Sequence, residues 1–233
     1  MMEQDLRTKV LERLEAIEDL PSLPLVIVHL NEAIQNVESS AADVAKIMEE
    51  DPAIMARVLK IVNSAFYSGG MSSQPITNVK HAIVRLGYDA VRNIALTSSV
   101  FSIFKEDHAQ VFNRIEFWRH CICTGIIANV VCDFSPLRDR IPKESVALSG
   151  LLHDMGKIIL EQYFYDIFTK ILLFAKEHNT PVHEIEQTAF QISHSEIGAW
   201  LGKNWNLGED LIACIEYHHT PEEAPEEYRD MVG

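Results

Sequence analysis

A histidine, an aspartate and a lysine interrupt an otherwise apolar stretch near the middle of the chain. The segment LSGLLHDMGKIIL, residues 148–160, places His153, Asp154 and Lys157 among leucine, isoleucine, methionine and small residues. An ionisable side chain on a buried face costs several kcal/mol unless a partner compensates it. The segment therefore predicts one of three things: a hydrogen-bonded core pair, a metal site or a cleft open to water.

Three further histidines lie at the ends of neighbouring predicted helices. The sequence SHSE has the form of a capping box that starts at Ser193, which places His194 in the first turn of a helix. A helix N-terminus lowers the pKa of a histidine and favours neutral imidazole, the form that binds a metal. His218 and His219 close another helix, where the C-terminus favours protonated imidazole, so a metal there would have to displace a proton.

Two pairs of residues at helical spacing could add to such a site. His120 lies four residues after Glu116, so the two share one face of a predicted helix. A core histidine and a solvated glutamate would show the same spacing. Lys157 lies three residues after Asp154, where its ammonium group could meet a substrate phosphate or pair with the aspartate. A polar core and a metal-dependent site both stay open on these residues alone.

The composition predicts a folded protein with an acidic surface. The 233 residues are 47% hydrophobic and 23% charged, and the formal net charge is −14. Such a charge argues against a nucleic-acid partner, because a surface that binds phosphate backbones needs clustered Lys and Arg. Protein partners, or a small phosphorylated ligand held by a metal, are compatible with an acidic surface.

The N-terminus and the cysteines predict a cytoplasmic protein. Residues 1–20 lack the basic and then apolar layout of a signal peptide, and no apolar run approaches the roughly 18 residues of a membrane span. The four cysteines form neither a CxxC pair nor a disulfide framework, which favours reduced thiols. We therefore expect no membrane partner.

Apolar residues recur at spacings of three and four along nearly the whole chain, which predicts an all-α fold. Asp51 and Pro52 predict the N-cap and first residue of a helix, and Gly87 predicts a helix end with positive φ. The quoted segment is expected to lie on one helix, and the tail EEAPEEYRD to be solvated and frayed. The predicted lobes are residues 1–107 and residues 108–233. The predicted helices are 25–37, 43–50, 78–86, 89–104, 113–133, 164–177, 182–191, 193–205 and 209–219.

The segment LSGLLHDMGK resembles the motif of the HD superfamily of metal-dependent phosphohydrolases. In that motif a first histidine, a His-Asp pair and a later aspartate bind metal; His120, His153 and Asp154 match the first three, and Lys157 matches a lysine that often follows the pair. One subfamily, the HDOD (HD-related output domain) proteins of bacterial signalling, is similar over about residues 19–222. The segments that carry this similarity are LPSLP, DPAIMARVLKIVNSAFY, ITNVKHAIVRLG, FWRHC, HSEIGAWL and HHTP.

The resemblance implies an HD-like multi-helix bundle with a packed N-terminal helical lobe. It implies a signal-transduction output domain that regulates through protein–protein contacts and retains an HD-type metal site. The implied metal ligands are His120, His153, Asp154, His194, His218 and His219, with Glu116 as a further candidate.

The alternative function is an active metal-dependent phosphoric ester hydrolase, for example a cyclic-dinucleotide phosphodiesterase. The HD-GYP phosphodiesterases use a comparable histidine set, sometimes with a glutamate at the place of Glu116. In such an enzyme Asp154 and Lys157 would be the catalytic residues, and the metal would be Fe, Mn, Co or Zn. This sequence departs from that group because it lacks the GYP signature and because Asp230 lies too early to match the later aspartate.

Overall fold

A computed structural model describes residues 3–17, 25–35, 40–63, 75–104, 111–138, 140–141 and 143–233. Most of these residues are in helices and none of them is in a strand, which confirms the all-α prediction. The chain divides into two compact units, Pro21–Lys105 and the combination of Met1–Leu20 with Glu106–Gly233. The first helix, α1 (Glu3–Glu15), thus belongs to the second unit, whereas the lobes predicted from the sequence assign it to the first.

Helix ends in the unit Pro21–Lys105 follow the local sequence. Its described helices are α2 (Leu25–Gln35), α3 (Ala41–Glu49), α4 (Pro52–Val62), α5 (Val79–Leu86) and α6 (Tyr88–Ile103). Asp51 caps α4 by accepting hydrogen bonds from the backbone N–H groups of Ala53 and Ile54, as its position before Pro52 predicts. Gly87 separates α5 from α6 with a φ of 87°, also as predicted. The segment SGGMSSQP, a predicted helix break, lies almost wholly outside the described residues.

The second unit contains the helices that carry the histidines. Besides α1 these are α7 (Arg114–Phe134), α8 (Lys143–Leu152), α9 (Met155–Tyr163), α10 (Tyr165–His178), α11 (Val182–Phe190), α12 (His194–Asn204), α13 (Glu209–Tyr217) and α14 (Glu226–Val232). A 3-10 turn, Pro221–Glu223, joins α13 to α14, and Ala224 between them is buried. The expectation of a frayed tail is therefore wrong, because the tail folds back and packs on α13.

The segment LSGLLHDMGKIIL does not form one continuous helix, so that prediction is wrong. α8 ends at Leu152 and α9 begins at Met155, which leaves His153 and Asp154 in the turn between them. Asp154 has φ −98° and ψ 8° and occupies the N-cap position of α9. On a continuous helix the two side chains would diverge by about 100°. The turn removes that restriction and lets both side chains reach one point.

Two close contacts between helix backbones bring the site helices together. A Cβ atom on Gly150 of α8 would lie 2.7 Å from the Cα atom of Gly125 on α7. A Cβ atom on Gly156 of α9 would overlap the carbonyl oxygen of His194 and lie 2.8 Å from the backbone nitrogen of Gly198, both on α12. Glycine allows such an approach because it has no side chain. These contacts set the spacing of α7 from α8 and of α9 from α12.

Ion pairs add side-chain connections between the same helices. Arg114 at the start of α7 forms a buried ion pair with Glu161 of α9. Arg7 of α1 pairs with Glu196 of α12, with 2.5 Å between Nη1 and Oε1. These contacts explain why α1 groups with the helices that follow residue 106.

Among the described residues, α7 is long and apolar enough to cross a membrane by length and composition alone. The sequence predicts no segment of this kind, and α7 departs from that prediction. The criterion is weak evidence here, because α7 also carries Glu116, Arg119 and Asp133 and packs on α8 through Gly125. All four cysteines are free, as predicted. The cytoplasmic location stays a prediction.

Replacing Gly156 with alanine should destabilise the fold, because the added methyl group would overlap the carbonyl oxygen of His194. We expect the free energy of unfolding to fall by about 1–3 kcal/mol, the usual cost of overpacking. The matched control is Gly202→Ala on α12, where the new Cβ would meet Ile212 Cγ1 at 3.4 Å, an ordinary contact. Urea unfolding of both variants tests this, and equal stabilities would contradict it.

Candidate metal centre

The carboxylate of Asp154 lies at the centre of the histidine cluster and is only 2% exposed. Its Oδ2 atom lies 3.3 Å from His153 Nε2 and 3.4 Å from His120 Nε2. Its Oδ1 atom lies 3.1 Å from His194 Nε2 and 3.6 Å from His218 Nε2. The two oxygens of one carboxylate therefore face two different sets of histidines.

Asp154 is shared by two groups whose ligand atoms all lie within 4.8 Å of one another. The inner group comprises Asp154, His194, His218 and His219, and the outer group comprises His120, His153 and Asp154. The start of α12 and the residues after α13 supply the inner histidines, while α7 and the turn after α8 supply the outer ones. The structure thus brings together all six residues that the resemblance implies as firm ligands.

Lys157 and Glu116, the two other predicted site residues, have different positions. Lys157 Nζ donates a hydrogen bond to Asp154 Oδ2 over 2.7 Å, so it belongs to the site. Glu116 is exposed and belongs to neither group; its Oε1 atom accepts a hydrogen bond from Arg119 Nη1 over 2.7 Å. Glu116 therefore pairs with its own helix in this structure.

The partners of Nδ1 decide which nitrogen of each ring faces Asp154. His153 Nδ1 lies 2.8 Å from the carbonyl oxygen of Gly150, and His218 Nδ1 lies 2.8 Å from the carbonyl oxygen of Ile215. A carbonyl oxygen only accepts hydrogen bonds, so these partners assign a proton to each Nδ1 atom. In the neutral rings, each Nε2 atom then presents a lone pair toward Asp154.

His194 is held by Glu186, a residue that the sequence analysis missed. Glu186 Oε2 lies 2.6 Å from His194 Nδ1 and accepts a second hydrogen bond, over 2.8 Å, from the backbone N–H of His194. Glu186 is fully buried on the face of α11 that also buries Phe190, four residues later. The sequence signal that could have indicated Glu186 is its spacing of four residues from the core residue Phe190. Such a carboxylate fixes the ring and makes it a stronger ligand.

His183 is a second residue that the sequence pattern does not single out. Its ring stacks on that of His219, with 3.9 Å between the ring centroids and an interplanar angle of 19°. Burial lowers the pKa of His183, which favours a neutral ring. No spacing rule indicates this contact, because the two residues lie on different elements far apart in the chain.

The pKa values at the site contradict the expectations drawn from the helix ends. Burial lowers the pKa of His194, but the neighbouring carboxylates of Asp154 and Glu186 outweigh burial and raise the pKa above its usual value. Burial lowers the pKa of His218, and burial together with the neighbouring histidines lowers that of His219 to about 3. Local partners and burial therefore outweigh the helix dipole at both ends.

Imidazole nitrogens and carboxylate oxygens with free lone pairs face one another at the centre. Such atoms can bind a cation. Burial raises the pKa of Asp154, but the surrounding histidines hold it well below its usual value, so the carboxylate is ionised. Its Oδ1 atom is buried without a hydrogen-bond partner in the described part of the chain. His194 Nε2 and His218 Nε2 lie 3.3 Å apart, and in each ring Nδ1 faces an acceptor oxygen that assigns it the proton.

Such close lone pairs repel unless a proton or a metal ion lies between them. A set of imidazole nitrogens and one carboxylate suits Fe, Mn, Co or Zn. The residues present therefore fit a divalent transition metal, and the ligand types do not distinguish among these four.

Comparisons with known proteins agree with the site and the fold. A protein of Treponema pallidum (strain Nichols), itself uncharacterised, is 27% identical over 219 residues. The match covers 94% of this chain, which spans only 41% of that relative's length.

Solved structures show the same fold. An HDOD domain protein of Geobacter sulfurreducens is 25% identical, with a TM-score of 0.81 over 98% of this chain and 74% of that one. A protein of Shewanella amazonensis named as a candidate phosphohydrolase is 24% identical, with a TM-score of 0.77 over 94% of this chain and 76% of that one. A protein of Marinobacter aquaeolei named as a candidate signal transduction protein is 23% identical, with a TM-score of 0.80 over 99% of this chain and 53% of that one.

The HDOD domain family matches this sequence from residue 20 to residue 221, nearly the range that the motifs indicate. The match spans both compact units and includes every residue of the inner and outer groups. The chain therefore belongs to the HDOD domain family.

Proposed function

We propose that this protein is a metal-dependent phosphohydrolase whose metal centre is the Asp154 cluster. The observation that carries the proposal is the position of the Asp154 carboxylate, which is buried and shared between the inner and outer groups. A polar core would need donors for both oxygens of this carboxylate; Lys157 donates to Oδ2, but the tautomers of His153 and His218 turn acceptor atoms toward the carboxylate, and Oδ1 has no donor in the described part of the chain. The name of the Shewanella relative supports the same activity.

The residues of such a site would have two roles, metal binding and compensation of phosphoryl charge. Asp154, His194, His218 and His219 would hold the metal ion. The metal, when bound, supplies an acidified water and a Lewis acid for a phosphoryl oxygen. Lys157 places its ammonium group beside Asp154 Oδ2, where it can offset negative charge on a phosphoryl group.

Substrate would reach the site from the outer group. The side chain of His120 is 56% exposed; among the inner histidines His194 is 1% exposed and His219 is exposed. The acidic surface implied by the net charge of −14 would repel a long polyanion. We therefore propose a small phosphorylated ligand, such as a nucleotide or a cyclic dinucleotide, as the substrate class.

A second function, signal-transduction output through protein contacts, is favoured by the apolar surface of α7. Apolar surface exposed over several helical turns is typical of a protein contact site. Because His120 lies on the same helix, a protein bound there would lie close to the metal centre. The name of the Marinobacter relative supports this role. The exposed side chains, each at least 45% exposed, are Ile115, Ile122, Ile126, Ile127, Val130, Val131 and Phe134.

Substituting Asp154→Asn should abolish both metal binding and hydrolysis, because both groups lose their shared anionic ligand. Elemental analysis of protein purified without chelator measures the metal. Turnover of bis(p-nitrophenyl) phosphate with added Mn or Fe measures the activity. Glu116→Gln is the control, and it should keep both properties because Glu116 belongs to neither group. Wild-type protein that neither contains nor takes up Mn, Fe, Co or Zn would refute the proposed function.

Substituting Glu186→Gln should weaken metal binding about 10-fold to 100-fold, the usual loss when a carboxylate behind a ligating histidine is removed. The amide cannot supply the negative charge that stabilises the Nδ1 proton of His194. Competition with a chelator of known affinity gives the dissociation constant. Glu184→Gln is the matched control, because Glu184 lies on the same helix and is exposed. Equal affinities in the two variants would show that Glu186 does not tune the site.

A further inference from the structure

The inner and outer groups differ in the number of ligands that they offer. The inner group supplies one carboxylate oxygen and three imidazoles, a complete set for a four-coordinate metal. The outer group, among the described residues, supplies one carboxylate oxygen and only two imidazoles. Each group includes one exposed histidine, His120 in the outer group and His219 in the inner group. The two groups therefore differ in their capacity to hold a metal.

Lys157 contacts the same carboxylate oxygen on which the outer group depends. Its Nζ atom lies 2.7 Å from Asp154 Oδ2, closer than His153 Nε2 at 3.3 Å or His120 Nε2 at 3.4 Å. The side chain is half-buried in the first turn of α9, where the backbone N–H of Lys157 also bonds to the carbonyl oxygen of Asp154 over 2.9 Å. The ammonium group is thus a cation that the fold itself places at the outer group.

The ammonium group and a metal ion at the outer group would compete for one oxygen. Both are positive, and like charges a few Å apart repel strongly where the site is partly shielded from water. Asp154 Oδ1 has no such competitor among the described residues, since it faces His194 and His218. The inner group therefore keeps an anionic oxygen for a metal, while the outer group has its oxygen neutralised.

We propose that Lys157 takes the place of a second metal ion, so that the cluster holds one metal, in the inner group. The proposal rests on the metal centre proposed above and adds to it the metal number and the residue that sets this number. In this arrangement a phosphorylated substrate enters on the side of the outer group, between the resident metal and a fixed ammonium group.

Metal stoichiometry after saturation with Mn²⁺ and removal of free ion tests the role of Lys157. Wild-type protein should retain one equivalent, and Lys157→Met should retain two, because the uncharged side chain of similar length frees Asp154 Oδ2. Two ions bridged by one carboxylate should also give a spin-coupled electron paramagnetic resonance signal that wild type lacks. Lys170→Met, which alters an exposed lysine on α10, is the control and should retain one equivalent.

A second pair of variants tests which group holds the single ion and does not depend on Lys157. His120→Ala should keep the one equivalent, because it removes only an outer ligand. His219→Ala should lose it, because it removes an inner ligand. The reverse pattern would place the metal in the outer group and would overturn the inference.

The outcomes separate this inference from the function on which it rests. Two equivalents in wild type, or one equivalent in a folded Lys157→Met or Lys157→Gln variant, would overturn the role of Lys157 and leave the metal centre standing. No metal in wild type would overturn both. Circular dichroism of each variant shows whether it is folded before its metal content is compared.

Discussion

The burial of one carboxylate governs the arrangement of the whole site. A charge that is removed from water must be matched by positive charge or by hydrogen-bond donors, or the group would take up a proton. Asp154 meets part of this requirement through Lys157, which donates to Oδ2, and through its place at the N-cap of α9, where the helix dipole favours negative charge. The turn between α8 and α9 lies at Asp154 itself, the residue that needs these partners.

The sequence was sufficient to predict which histidines lie together around Asp154, because their types and spacing match a known motif. It was sufficient to predict most helices, because their apolar spacing is regular. It was insufficient for the turn at His153 and Asp154, since the apolar residues of LSGLLHDMGKIIL continue through it without a glycine or proline at the break. Glu186 and His183 were also missed, because their partners His194 and His219 become neighbours only after folding. Local patterns reveal positions along a helix, whereas these contacts join different helices.

Charge is distributed unevenly between the two units. Lys and Arg equal Asp and Glu in number over residues 21–105, so the whole excess of negative charge belongs to the unit that carries the histidines. The potential of that unit attracts divalent cations and opposes phosphorylated ligands. Under the proposed function, a bound metal and Lys157 would have to supply the local positive charge that a phosphoryl group needs.

The glycine contacts help to recognise the same histidine cluster in other chains of this fold. Gly125 meets Gly150, and Gly156 meets His194, through main-chain atoms. The spacing of the helices that carry the histidines therefore depends on backbone contacts rather than on side-chain packing. A chain of the same fold that keeps a His-Asp pair but carries a bulky residue at the place of Gly156 would have its helices forced apart and its ligands out of range. Small residues at these crossings are therefore expected in any chain of this fold that assembles the same cluster.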